Sequence, residues 1–449
     1  MTNSSTIEKT KSSLKIFSGL SSFQMLAMFR RGLFYTYLSI YMREFLNMSV
    51  FETTLYATIP MIMSIIFQNF VWGPISDKFQ RRRTLIILGE ILAGTGTITV
   101  WYIHFLLANA HTAGYGIKIG DVIFSSLYIS GYVIIIGLSL VEMFWSMSNI
   151  GWSALLSDLY PSEKRSKIMG QLTSLGGLGR IIGIFIGGFL YDAGFGFRNG
   201  ALFIIASFVM FISTIPMFFT PEGGVNIDLP EQENSLEITD NNQNHILIFI
   251  IFTMALIFIN FGRNSIAVPY PQYLSLDSGF NVGSIMLSFI ANMRSLATLV
   301  IGFTAGFLSK KFGHSRTLIV GTSIGIIGLI ITATTIHLQL IFAGAFLIGA
   351  AEVIIYASSY AIASVLIPAR MRGKLFAVYN TTFFLSWGIA GTFISGPLID
   401  SLISEGKSEV FAYQMAFLTG ALICLLGLFI FIALKIWIKI KKKSNPPNL

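Results

Sequence analysis

The residues able to do chemistry in this chain are ionisable groups set deep within apolar stretches: Arg30, Glu90, Glu142, Arg180, Arg263, Arg294 and Glu352. A charge at the centre of a hydrocarbon layer costs roughly 2.5–3.5 kcal/mol on insertion scales, so it usually faces a wet cavity or an opposite charge. Two of these groups recur along the chain. Arg30 maps onto Arg263 at a shift of 233 positions, and Glu142 has a counterpart in Glu352 within a few residues of register. An Arg–Glu pair at such depth supports two chemistries. It can be a permanent neutral strut, because an unpaired charge there is far costlier than a paired one. Alternatively the carboxylate takes up a proton, releases its guanidinium and lets a polar solute compete for it. Tyr37, Tyr41, Trp145, Tyr270 and Tyr356 lie on the same stretches. They suit aromatic or amphipathic solutes, although aromatics at helical spacing also pack helices.

The elements that carry these groups are membrane helices. Of 449 residues, 54% are hydrophobic and only 11% charged, against about 25% charged in a soluble domain. One core cannot hide that much apolar surface, so the bilayer must act as its solvent. Twelve apolar segments are expected, at 16–42, 51–73, 84–107, 122–156, 168–192, 199–219, 246–275, 282–308, 316–336, 338–367, 373–400 and 411–438. Each reaches the ~20 residues a helix needs to cross ~30 Å of hydrocarbon. Measured from the polar ends of their segments, Arg30, Glu142, Arg263 and Glu352 fall roughly 22–27 Å along their helices, beyond the midplane. Residues 220–245 form the one long polar stretch. It holds Pro221, Gly223 and Gly224 and six acids from Glu222 to Asp240, with no Lys or Arg, a composition that suits a flexible linker.

Charge distribution sets the expected sidedness. With the N-terminus inside, 21 of the 30 Lys and Arg fall on the inner side; Arg43, Lys118, Arg198 and Lys407 lie opposite, and the other five are within spans. Positive-inside sorting therefore places both termini in the cytoplasm of a cell-membrane protein. The net charge of +9 is read as topological rather than as a nucleic-acid signal. No cleavable signal peptide is evident, because residues 1–14 are polar and the first apolar stretch holds Arg30 and Arg31. The lone Cys424 rules out an intrachain disulfide and a cysteine metal cage.

A basic turn occurs twice: GPISDKFQRRRTLI at 73–86 returns as GFLSKKFGHSRTLI at 306–319, again shifted by 233. A second loop repeats as PSEKR at 161–165 and PARMR at 368–372. These motifs resemble the major facilitator superfamily of secondary transporters. Gly73, Asp77, Lys78 and Arg81 match that family's signature between its second and third helices, whereas Gln80 stands where the family usually has Gly. The second copy keeps Gly306 and Gly313 but carries Lys310 in place of the acid. The resemblance covers nearly the whole chain. It implies an all-α membrane protein with twelve transmembrane helices in two pseudo-symmetric six-helix bundles. Residues 1–219 would form the N-terminal bundle, 220–245 a cytoplasmic linker, and 246–449 the C-terminal bundle with its basic tail.

The resemblance also implies that the first, fourth, seventh and tenth helices line a central cavity. Arg30 is then expected to meet Glu142, and Arg263 to meet Glu352, with Tyr37 and Tyr270 beside them. It implies a cytoplasmic gate too, in which the Asp77 turn latches the halves together, with Asp158 and Arg165 as partners for Arg81 and Asp77. Lys78, Arg82 and Arg83 are read as serving topology and solubility. GQLTSLGGLGRIIGIFIGG at 170–188 resembles the fifth-helix motif of drug and proton antiporters, with Ile184 where that motif has Pro. Glycine spacing alone, however, also serves close helix contact.

No nucleotide-binding loop, metal-spaced His cluster or nucleophile elbow is present. The expectation is a monomeric carrier in membrane lipid that needs no cofactor and binds no nucleic acid. It would move a small solute outward in exchange for protons. An organic-anion or phosphate-ester exchanger using Arg30 and Arg263 is the alternative; a transport-inactive sensor and an intramembrane enzyme are remoter.

Overall fold

In the computed structural model the backbone is described over residues 2–112, 116–119, 122–160, 162–224, 242–367 and 372–444. Side chains are described over 14–110, 125–160, 168–224, 246–367 and 375–441, apart from 170, 303, 305, 306, 308, 310, 376 and 377. The helices are α1 (Thr2–Glu44), α2 (Val50–Phe67), α3 (Gly73–Phe79), α4 (Arg82–Thr112), α5 (Ser126–Leu159), α6 (Ser162–Tyr191), α7 (Phe195–Arg198) and α8 (Ala201–Met217). They continue with α9 (Asn242–Asn264), α10 (Pro269–Ser275), α11 (Ser284–Phe312), α12 (His314–Thr334), α13 (Leu338–Leu366), α14 (Arg372–Ala390), α15 (Gly396–Ser404) and α16 (Glu409–Ser444).

Among the described residues ten helical stretches are long and apolar enough to cross a membrane, and α8 is a shorter apolar helix. With α1, whose apolar run holds the Arg30–Arg31 pair, each of the twelve expected spans is built around a helix. One detail departs from expectation. Residues 122–125 are not the start of the fourth span but strand β2 (Val122–Ser125), paired antiparallel with β1 (Gly116–Ile119).

Two spans change pitch at a Gly-Pro step. At Gln68–Trp72 and at Gly391–Ser395 the helix opens to a π turn, in which the N–H of Gly73 bonds to the Gln68 carbonyl and that of Gly396 to the Gly391 carbonyl. The following prolines (Pro74 and Pro397) lack an N–H and would clash one turn back, so the wider turn relieves the strain without ending the span.

The chain divides into two compact units. Unit 1 comprises residues 1–48, 59–231 and 283–288; unit 2 comprises 49–58, 232–282 and 289–449. In unit 1 a core of Leu20, Phe23, Ile86, Trp152, Leu155, Leu172 and Met217 ties α1 to α4, α5, α6 and α8. α6 lies directly on α1 here. A Cβ at Gly179 or Gly183 would overlap the backbone carbonyls of Met25 and Phe29, so the glycine spacing of α6 is explained by helix contact. In unit 2 a core of Phe249, Phe252, Leu256, Ile259, Leu318, Ile355, Tyr379 and Phe431 joins α9 to α12, α13, α14 and α16. There α9 meets α14 through polar bonds. Asn264 Nδ2 donates to Ser386 Oγ at 2.8 Å, and Asn260 Nδ2 lies 3.4 Å from Thr382 Oγ1. Asp400 of α15 accepts the N–H groups of Val50 and Phe51, satisfying two of the four donors that a helix start leaves open.

Candidate functional site: buried charge clusters and a charged turn

In unit 2 three helices bring three charges together. Glu352 of α13 lies 3.1 Å from Arg263 Nη1 of α9 and 2.7 Å from Arg294 Nη2 of α11. Arg294 adds a second bond from Nε at 3.2 Å. The Arg263–Glu352 contact expected from sequence is therefore present, with Arg294 as an additional partner. Arg263 is only 4% exposed, and its Nε and Nη1 make no properly directed hydrogen bond; the attraction to Glu352 is one of charge rather than of aligned donors. Two positive groups share one carboxylate, so the cluster keeps a net positive charge.

The backbone changes course at the same place. α9 ends at Asn264, residues 265–268 form turns, and α10 begins at Pro269. Tyr270 lies in the first turn of α10, its hydroxyl unpartnered, its ring edge-on to Phe417 at 5.9 Å and its charge environment set partly by Arg294. Irregular backbone at membrane depth is tolerated only where it is buried in protein or lines a cavity.

Unit 1 is arranged differently. The expected meeting of Arg30 with Glu142 is not among the described ion pairs. Instead the guanidiniums of Arg30 and Arg31 lie over the Trp145 ring, 5.1 Å and 4.4 Å from its centroid. Trp145 follows Glu142 by three residues on α5, so ring and carboxylate share a helix face. The carboxylate therefore interacts electrostatically with Arg31 and with Arg30 without a direct bond. Cation–π contact of this kind contributes about 0.5–2 kcal/mol. A second acid, Glu90 of α4, is 1% exposed and accepts a hydrogen bond from Ser148 at 2.8 Å. Unit 1 thus balances two Arg with two Glu. The sequence marks Glu90 and Arg294 as charges within spans but does not assign them to these clusters; Arg31, the basic neighbour of Arg30 in the same span, is the member the span charges leave out.

Of the tyrosines, Tyr37 is not placed as a solute contact. It is fully buried, donates to the Ile184 carbonyl at 2.7 Å and stacks on Tyr191. Its position is dictated by the close approach of α6, and it packs helices. Tyr41 is likewise buried against His104, with a 2.9 Å bond. Tyr356 is half exposed and packs edge-on against Phe383. Arg180 is exposed on α6.

At the basic turn the hub is Arg82, not Arg81. Arg82 is buried, and its guanidinium contacts Asp77 Oδ1 and Asp158 Oδ2, both at 3.3 Å, and the Ser76 hydroxyl. Arg81 and Lys78 are exposed, and Arg165 lies outside the described side chains. The reason is geometric. Arg82 opens α4, where its side chain folds back over the end of α3, whereas Arg81 occupies the bend. The start of the linker joins this network. Glu222 pairs with Arg83 at 3.2 Å and accepts the Thr84 N–H, Thr220 O accepts Arg83 Nη1, and the Gly224 N–H reaches Asp158. Gln80 caps α3 in the left-handed region at φ 53, the conformation that makes Gly the usual choice there. Gly313 also has positive φ in the second copy, at 89.

The family profile described as Major Facilitator Superfamily matches residues 20–261 and again 252–449. Multidrug resistance protein MdtG of Klebsiella pneumoniae (strain 342) is 26% identical over 275 residues, which is 60% of this chain and 62% of that protein. The chain thus aligns with less than two thirds of that relative's length. MdtG of Salmonella schwarzengrund (strain CVM19633) is 26% identical over 65% of this chain and 68% of its own. Among solved structures, an inward-facing bacterial homolog of the human lysosomal transporter Spinster superposes with a TM-score of 0.71 at 14% identity, covering 94% of this chain and 97% of that one. A variant of the nucleoside transporter NupG gives 0.70 at 13% identity, covering 93% and 99%.

Proposed function

This chain belongs to the major facilitator superfamily and is a multi-pass membrane transporter, not an enzyme, and we propose on that premise that it exports a small organic solute in exchange for protons. Residues 1–219 and 246–449 act as the two moving bundles, with 220–245 as the cytoplasmic linker and both termini inside. The observation that carries the coupling is Glu352, held at 3.1 and 2.7 Å by two guanidiniums. Protonation of that carboxylate cancels its attraction to Arg263 and Arg294 and frees both for another partner. Solute and proton then compete for one cluster, which is the minimum requirement for exchange. Glu142, near Arg30 and Arg31, is the second proton-accepting group. Tyr270 lines the solute path in unit 2.

On the cytoplasmic side Gly73, Asp77, Lys78, Arg81, Asp158 and Arg165 form the gate region, with Arg82 as its centre. A carboxylate near helix ends and an Arg makes a contact that can form and break during a cycle. The likeness to the MdtG proteins supports export of drug-like solutes as the direction.

The test uses purified protein in liposomes with an internal pH indicator. Organic anions, sugars and lipophilic cations are added in turn under an imposed pH gradient. At least one class should move protons with the wild type and fail to do so in the Glu142→Gln, Glu352→Gln double variant. Solute movement that follows the gradient unchanged in the double variant contradicts proton coupling.

A further inference from the structure

The charge balance of unit 2 points beyond transport of an unspecified solute, and rests on the reading just given. Arg263 and Arg294 face a single carboxylate, and no other acidic side chain is paired with either among the described ion pairs. Arg263 is almost fully buried, with Nη1 held only by the ion pair to Glu352 and Nε without an acceptor. A buried guanidinium with unmade bonds is costly unless something supplies acceptors, and the fork of N–H groups on Arg matches a carboxylate, phosphonate or sulfonate in geometry. Tyr270, at the start of α10, offers an unpartnered hydroxyl close enough to feel the Arg294 charge.

We propose that Arg263 and Arg294 form an anion-binding site within unit 2, taking the carboxylate, phosphonate or sulfonate group of a small organic acid, with Glu352 as the built-in competitor and Tyr270 as an added donor. The arrangement in unit 1 does not duplicate it. Arg30 and Arg31 rest on the face of Trp145, and Glu90 and Glu142 match them in number. Arg294 itself has no basic counterpart at the 233 shift, where Met61 stands. The site is therefore a property of the C-terminal half alone.

The test is a thermal-unfolding titration of the full-length detergent-purified protein with benzoate and phenylphosphonate, against benzamide and benzylamine at matched ionic strength. The acids should raise the unfolding midpoint in a saturable way, and the amide and amine should not. Glu352→Gln, which removes the competitor, should tighten acid binding about tenfold; Arg294→Gln should weaken it at least tenfold. Arg294→Lys, which keeps the charge and loses the fork, should fall between and guards against a variant that fails to fold. Stabilisation by benzylamine in place of the acids overturns the proposal. So does an acid effect no larger than that of benzamide, or Glu352→Gln weakening acid binding. Binding is read without a gradient, so a protein that holds benzoate but moves no protons refutes the coupling and leaves the anion site. Proton-coupled transport without acid binding refutes the anion site alone.

Discussion

The two charge clusters began from the same sequence pattern and settled differently. In unit 1 the helix carrying Arg30 runs unbroken from Thr2 to Glu44, and its two guanidiniums lie on an aromatic ring beside two acids. In unit 2 the corresponding helix stops one residue after Arg263, and its guanidinium shares one acid with Arg294. The contrast extends to one neighbour of each helix. α1 touches α6 through glycine, backbone against backbone, whereas α9 reaches α14 through Asn–Ser and Asn–Thr contacts. The cluster of unit 1 is balanced in charge on an unbroken helix; that of unit 2 is net positive on a helix that ends beside it. Repeated sequence thus supplies repeated architecture without repeated chemistry.

Four pairs of substitutions test that contrast, and the largest effect belongs to the helix contact. Gly183→Val drives a side chain into the Phe29 carbonyl, which no rotamer relieves, and should destabilise unit 1 by more than about 3 kcal/mol or abolish folded protein. Asn264→Ala, at the matching contact in unit 2, should cost about 1 kcal/mol. Fluorescence-detected size exclusion and thermal melts read both.

Next come the acids. Glu352→Gln leaves two cations without a matching charge and should destabilise by about 1–3 kcal/mol, discounted because Glu352 is 39% and Arg294 24% exposed. Glu142→Gln leaves Glu90 in place and should stay under about 1 kcal/mol. Equal losses would erase the distinction between the clusters.

At the basic turn, Arg82→Gln should lower stability by about 1–2 kcal/mol, because it releases Asp77 and Asp158 together. Arg81→Gln, on an exposed side chain, should remain within about 0.5 kcal/mol. The smallest change concerns the turn's backbone. Gln80→Gly relieves a left-handed residue and should stabilise by about 0.5–1 kcal/mol, whereas Gly313→Ala in the second copy should destabilise by a similar amount.

Much of this was legible in sequence because it depends on period and composition. Apolar runs, the 233-residue shift and the duplicated turn all follow from residues acting near their own position. The Arg263–Glu352 contact was legible too, since both lie at matched depth on helices expected to face each other. Three features were not. Arg30 went to Trp145 because a ring on the neighbouring turn competes with a carboxylate, and sequence does not rank those partners. Arg82 replaced Arg81 because it opens α4 and folds back onto Ser76 and Asp77 of α3, while Arg81 sits exposed in the bend, and which of adjacent arginines starts a helix is not fixed by motif spacing. Tyr37 was claimed by the Ile184 carbonyl once the glycines of α6 let that backbone approach, a tertiary contact that no local pattern announces.

The most direct test of the account is solute exchange in liposomes by Glu352→Gln, measured with and without an imposed pH gradient. The account predicts that gradient-driven accumulation is lost while exchange of labelled for unlabelled solute at equal pH persists. Accumulation that still tracks the gradient as in the wild type would contradict it.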